Sequence, residues 1–377
     1  MRAYHLDRNW ATNCFHSKGF TLGWKKPNDY HRIVRVDGDL LAIDNEFTTP
    51  QSIKVYDIRR RTLQCVIAPV ESTIAPVAGG IKFTDGVIVV PCLGGVACAF
   101  DARTGKLLQK IDLHLGSRYM LLFFDGELVI TYECAANKRE NNEKFCDIYV
   151  SCVKDGQLQR TLTVDLTDGV KVCYYNVDYR DKMVAAVYND DYIRVWDARS
   201  GECLHQLKCP GEESKVKLGD NVIVGFSKAF DMEVCDIIIW SQDTGECQKV
   251  IREVPSHRYV RPYAYVLNNL IIYYDQISGP GDHFYFMYVY NLRKESGMEK
   301  VHHCGDPRRN ETKSVYIVLE EPEYRCEKAW PSAVCNATPN GLVRLFDAGT
   351  NHIIWIDDIR MILIDNKKHK LRVHHYW

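Results

Sequence analysis

One five-residue frame recurs along this chain of 377 residues and constrains its fold more than any other feature. It reads IKVYD at 53–57, ACAFD at 97–101, IYVSC at 148–152, IRVWD at 193–197 and IIIWS at 237–241. It returns as MYVYN at 287–291, VRLFD at 343–347 and LRVHH at 371–375. Successive copies end 44, 51, 45, 44, 50, 56 and 28 residues apart. In most copies the fourth residue is aromatic: Tyr56, Phe100, Trp196, Trp240, Tyr290 and Phe346. Apolar residues alternate through the frame, the period of a half-buried strand. Self-similarity at such a distance marks a repeat architecture, in which neighbouring units cover one another.

The flanks repeat as well. Gly105, Gly156, Gly201 and Gly245 each stand four residues beyond the end of a frame. Glycine there takes the positive φ of a tight hairpin turn, so a strand is expected on either side. Ahead of each frame runs another apolar strand, often led by a turn, as in Val36–Asn45, Thr84–Pro91, Phe124–Glu133 and Arg180–Asn189. Units of four strands that end in a Trp-Asp-like signature are the pattern of a β-propeller blade. One blade cannot bury both faces; stacking covers them, and closing the ring removes exposed edges.

The expected fold is therefore all-β: a WD40-like β-propeller of seven or eight four-stranded blades with degenerate repeats. Asp57, Asp101, Trp196, Asp197, Trp240 and Asp347 read as structural repeat residues, not as a substrate platform with a catalytic carboxylate. The tail from Asn351 to Trp377 parallels the first unit but lacks one strand. The segment around Cys14 to Leu22 can supply it, closing the propeller by pairing the N- and C-terminal strands. Residues 1–14 are then a linker, and 15–377 the propeller.

Composition narrows the function. Lys and Arg total 48 against 49 acidic residues, so the basic excess of a nucleic-acid binder is missing and no nucleic-acid partner is expected. The 15 cysteines are odd in number and contain no CxxC pair, which suits reduced thiols in the cytoplasm or nucleus. The start, MRAYHLDRNWATNCF, lacks the apolar core of a signal peptide, and no apolar run approaches a membrane span, so no membrane partner is expected. The sequons at Asn310 and Asn336 are accordingly read as unmodified.

Two insertions interrupt the repeat, at Cys134–Lys144 and His302–Lys313. His302, His303 and Cys304 are adjacent, and neighbours on a strand point to opposite faces, so no metal is expected there or at His374–His375. There is no GxSxG elbow, HExxH, GxGxxG after a strand, P-loop or sialidase box. The chain thus reads as a non-enzyme, with no catalytic residues and no cofactor. The rival from another class is a propeller hydrolase or lyase that gathers carboxylates from several blades.

The segment LDRNWATNCF, Leu6 to Phe15, resembles the stretch joining the F-box helices to the propeller in F-box/WD-repeat proteins. The repeat resemblance extends from about Phe15 to Trp377. It implies that Asn9 and Trp10 pack the linker against the ring, and that the chain is the substrate-recognition part of an SCF-type (Skp1-cullin-F-box) ubiquitin ligase receptor. The chain departs from the family in having one Trp-Asp dipeptide and no Gly-His dipeptide. No F-box precedes the segment, so Skp1 and cullin are expected as partners only of a form that carries the box upstream. A non-ligase WD40 scaffold is the nearer rival.

The family's ligand face is made by loops entering the first strand and leaving the second strand of each blade. Aligning the units places Arg32, Met120, Tyr175 and Ser214 at the entry to the first strand. Lys228 follows a second strand, and Arg258 and Arg261 precede a first strand. Together they make a mixed basic and aromatic face for a protein or peptide, phosphorylated or not. Singly, Arg32 and Lys228 read as solvated surface residues and Tyr175 as packing.

Overall fold

The computed structural model describes residues 16–21, 34–44, 52–68, 81–92, 95–113, 120–133, 148–162, 172–188, 190–211, 214–229, 233–256, 263–267, 270–279, 282–292, 299–304, 316–320, 332–338, 341–347, 352–356, 360–365 and 370–375. Among these every regular element is a strand, and none is a helix long and apolar enough to cross a membrane.

The strands form antiparallel sheets in chain order. Sheet one comprises Val34–Asp37, Leu40–Asp44, Ile53–Asp57 and Thr62–Ile67. Sheet two comprises Lys82–Thr84, Val87–Cys92, Val96–Asp101 and Leu107–Asp112. Sheet three comprises Met120–Phe124, Leu128–Glu133, Ile148–Cys152 and Leu158–Leu162. Sheet four comprises Val172–Arg180, Met183–Tyr188, Tyr192–Asp197 and Cys203–Lys208. Sheet five comprises Lys215–Leu218, Val222–Ser227, Val234–Ser241 and Cys247–Pro255. Sheet six comprises Tyr263–Leu267, Leu270–Gly279, Asp282–Asn291 and Glu299–Cys304.

Among the described residues sheet seven has three strands, Tyr316–Glu320, Ser332–Thr338 and Gly341–Asp347. Sheet eight takes His352–Ile356, Arg360–Asp365 and Lys370–His375 from the C-terminus. Its fourth strand, His16–Thr21, comes from the N-terminus and pairs antiparallel with the last, His16 opposite His375 and Thr21 opposite Lys370. The chain divides into two compact units, Asp29–Val216 in one and Met1–Asn28 with Lys217–Trp377 in the other.

Within the first unit, consecutive sheets stack face to face. Ile53, Val55 and Ile67 of sheet one pack with Ile88, Val90 and Phe100 of sheet two. The alternate residues of sheet two, Val89, Ala97, Ala99 and Ile111, pack with Val129 and Val153 of sheet three. Leu128, Ile130 and Val150 then meet Val184, Tyr188 and Trp196 of sheet four. A strand sandwiched in this way needs apolar residues on both faces, and MVAAVY (183–188) is buried at every position. The fourth strand is an edge, and CLHQLK (203–208) is largely exposed. In the second unit, Val224, Phe226 and Ile239 of sheet five pack on Val266, Ile271 and Tyr273 of sheet six.

The turns after the second, third, fourth and fifth frames share one geometry. The N–H of Gly105, Gly156, Gly201 and Gly245 donates to the carbonyl of Asp101, Cys152, Asp197 and Ser241, at 2.8, 2.9, 2.9 and 3.0 Å. Their φ values lie between 69° and 78°, the left-handed region where an L side chain is strained.

Candidate functional site

The Trp-Asp pair is structural in its contacts. Trp196 is buried and meets the Tyr188 ring edge-on at 5.9 Å. The Asp197 carboxylate accepts the backbone N–H of Ser200 at 2.7 Å and of Arg199 at 2.8 Å. The Ser200 N–H, more than any other contact, holds its carboxyl below the usual range. Asp101 accepts from Thr104 and Arg103, and Asp57 from Arg60, in the same way. Each closes a strand and caps the turn that follows. Trp240 is buried on the third strand of sheet five, and Asp347 ends the third strand of sheet seven.

Of the residues expected on a ligand face, Arg32, Arg258 and Arg261 lie outside the described residues, as do Asn9 and Trp10 of the linker. Met120 opens the first strand of sheet three. Tyr175 is not at the entry to its strand, which starts at Val172 and slips register between Val172 and Val177. Lys228 is only 1% exposed, so the expectation of a solvated surface residue is wrong. It follows directly on Val222–Ser227, whose interior positions are all buried, and the chain is still in the interior when it reaches Lys228. Ser214 is fully buried, and its hydroxyl donates to the Gly211 carbonyl at 2.8 Å, within its own loop.

The structure brings together polar groups that the sequence reading passed over as turn residues. Asp125, between the first two strands of sheet three, accepts the N–H groups of Leu128 and Glu127 at 2.8 and 3.0 Å. Its other oxygen accepts the Tyr179 hydroxyl at 2.5 Å and the Lys182 ammonium, both from sheet four. Glu127 completes the cluster with Lys182 at 3.0 Å and Arg199 at 2.7 Å. Burial opposes the charge on Asp125, yet these donors together hold its carboxyl below the usual range. Burial and the Asp125 bond push the Tyr179 hydroxyl far up.

The same corner ties the earlier sheets. The Asp37 carboxylate accepts the Gly86 N–H at 2.6 Å, and a Cβ on Gly126 would fall 2.2 Å from an Asp85 carboxylate oxygen. An aspartate in each of these turns thus reaches the corresponding turn of the next sheet. The Asp-Gly pairs at 37–38, 85–86 and 125–126 were visible in the sequence; their reach across sheets was not.

At the other end of sheet four, Arg194 is 3% exposed. It binds both oxygens of Asp190, at 3.0 and 2.5 Å, and its guanidinium lies 4.7 Å from the Tyr188 ring centre and 5.7 Å from that of Tyr192. His302, His303 and Cys304 are consecutive on the last strand of sheet six, opposite Met287, Phe286 and Tyr285. Among the described residues no group of three or more His, Cys, Asp or Glu side chains is placed to hold a metal. Eight of the cysteines, Cys65, Cys98, Cys203 and Cys235 among them, are free thiols, and burial raises the thiols of Cys65 and Cys203.

With this geometry in hand, the chain was compared with known proteins. No protein-family model and no curated protein matches it. A computationally designed protein, Ika8, superimposes with a TM-score of 0.57 at 15% identity, covering 91% of this chain and 95% of that one. BamB from Moraxella catarrhalis gives a TM-score of 0.47 at 12% identity, covering 91% of this chain and 84% of that one. The likeness is one of fold. It supports an all-β, propeller-like architecture of four-stranded antiparallel sheets and carries nothing about chemistry.

Proposed function

We propose that this chain is a protein-interaction module, a WD40-like β-propeller whose sheets are its blades, closed by the pairing of its terminal strands. The observation that carries this reading is the engagement of its turn carboxylates. Asp125 accepts four donors and Asp197 caps a turn, so both serve to join and shape the sheets. With donors on both of its oxygens, Asp125 has no lone pair directed at a substrate, unlike the groups of a hydrolase or lyase.

More finely, the chain acts as the substrate-recognition part of an SCF-type ubiquitin ligase receptor in the cytoplasm or nucleus. Support comes from the repeat pattern and from the Asn9–Trp10 segment that precedes the first sheet. Arg258 and Arg261, ahead of the first strand of sheet six in the sequence, supply positive charge for a phosphorylated or acidic peptide. The test is affinity capture from cell lysate with this chain and with a form extended upstream to the next in-frame start. Recovery of Skp1 and cullin by the extended form alone supports the receptor. Failure of both forms to recover them, with other proteins retained, overturns it in favour of a scaffold.

A further inference from the structure

The turn that follows the first frame departs from the other four. The Arg61 N–H donates to the Asp57 carbonyl at 2.7 Å, the bond made by Gly105, Gly156, Gly201 and Gly245 in theirs. Arg61 therefore occupies the left-handed position, at φ 60°, where each of those turns places a glycine. A strained, non-glycine residue kept at a position that glycine would satisfy better points to a use for its side chain.

What surrounds Arg61 indicates the use. Arg59, Arg60 and Arg61 are all exposed. Arg60 approaches Asp57 loosely, at 3.8 Å, while the guanidinium groups of Arg59 and Arg61 have no partner among the described residues. The strand that follows carries Leu63 and Val66, 50% and 47% exposed. Val66 stands opposite Lys54 and Leu63 opposite Tyr56, on the face away from sheet two. The other face, with Ile53, Val55 and Ile67, is the one packed on sheet two. Lys54, Leu63 and Val66 thus share one face of sheet one beside its edge strand, Thr62–Ile67, and Arg59 and Arg61 stand exposed in the turn that leads into that strand.

We propose that this surface docks an acidic, leucine-bearing segment of a partner protein, laid in extended form along the edge strand. Carboxylates of the segment meet Arg59, Arg61 and Lys54, and its apolar residues cover Leu63 and Val66. Two exposed apolar side chains among the cations favour a peptide over a nucleic-acid backbone, which would leave them uncovered. The proposal goes beyond the receptor reading and does not require an F-box.

The test is fluorescence anisotropy with a labelled peptide alternating glutamate and leucine, titrated with the full chain. Controls are the lysine-leucine counterpart, a single-stranded oligonucleotide and vesicles containing an anionic lipid. The expected result is binding of the acidic peptide in preference to all three. R59E/R61E and L63S/V66S should each weaken it by roughly tenfold. R61G separates the docking role from folding: its melting temperature should rise while its affinity falls. Unchanged affinity in R61G and in both double variants, or a preference for the oligonucleotide or the vesicles, overturns the proposal.

Discussion

The Tyr179 hydroxyl donates to the Asp125 carboxylate at 2.5 Å and so links the first strand of sheet four to the turn of sheet three. Apolar contacts between stacked sheets are forgiving of small slides, whereas a directed bond to a carboxylate fixes one alignment. Replacing Tyr179 with Phe should cost about 1 kcal/mol, and Asp125→Asn about 2 kcal/mol, because the latter leaves Lys182 without its best acceptor. Urea unfolding of the two single variants and the double variant checks this. A double variant no less stable than Asp125→Asn alone shows that the two groups act through one bond.

The same tie makes stability depend on acid. The Asp125 carboxyl is held below its ordinary value, so the unfolded chain takes up that proton first as the pH falls. Its contribution is complete above the unfolded value of about 3.9 and is lost as pH drops through the lower folded value. The stability gap between the parent and Asp125→Asn should accordingly narrow between pH 6 and about pH 3. A gap that stays constant over that range would show that the carboxylate is not held by its donors.

The left-handed turns predict opposite responses to substitution. A Cβ on Gly156 would fall 2.6 Å from the Lys110 carbonyl oxygen, a backbone atom that cannot swing away. Gly156→Ala should therefore cost about 2 kcal/mol or more, combining clash with φ strain. Arg61 is exposed and strained, so Arg61→Gly should stabilise the fold by about 1 kcal/mol. Thermal unfolding of both variants reads the two signs directly.

The repeat frame was legible because strand period, aromatic fourth residue and turn glycine all recur at the same offsets, and Trp196 and Asp197 took their structural meaning from that recurrence. The geometry of individual polar groups was not legible. Lys228 looks like a surface cation in the sequence, but whether a side chain points out or in depends on strand register, which a local pattern does not fix. Asp125 looked like a turn residue and is one; its second task needs Tyr179 and Lys182, 54 and 57 residues away, delivered by the next sheet. Repeats announce their strands and hide the contacts between them.

Trp196 and Asp197 should separate cleanly in their energetics. Trp196→Ala removes a buried ring from between Tyr188 and the face of sheet three and should cost about 3–5 kcal/mol. Asp197→Ala removes a turn cap and should cost about 1 kcal/mol. Trp196 is buried and the Asp197 carboxylate is engaged by its own turn, so Asp197→Ala should retain whatever partner the parent captures from lysate. Loss of that partner by a folded Asp197→Ala protein would assign the dipeptide to recognition.

Arg194 and Asp190 supply the sharpest asymmetry. The guanidinium is almost wholly buried between two tyrosine rings, and Asp190 neutralises it with both oxygens. Asp190→Asn leaves a buried cation with a neutral neighbour and should cost about 3 kcal/mol. Arg194→Met removes the cation, keeps its apolar stem against Tyr188, and leaves Asp190 free to turn toward solvent, so it should cost clearly less. Chemical denaturation of the two variants decides the order. If Arg194→Met proves the more damaging, the bidentate pair contributes to the fold beyond neutralising a buried charge.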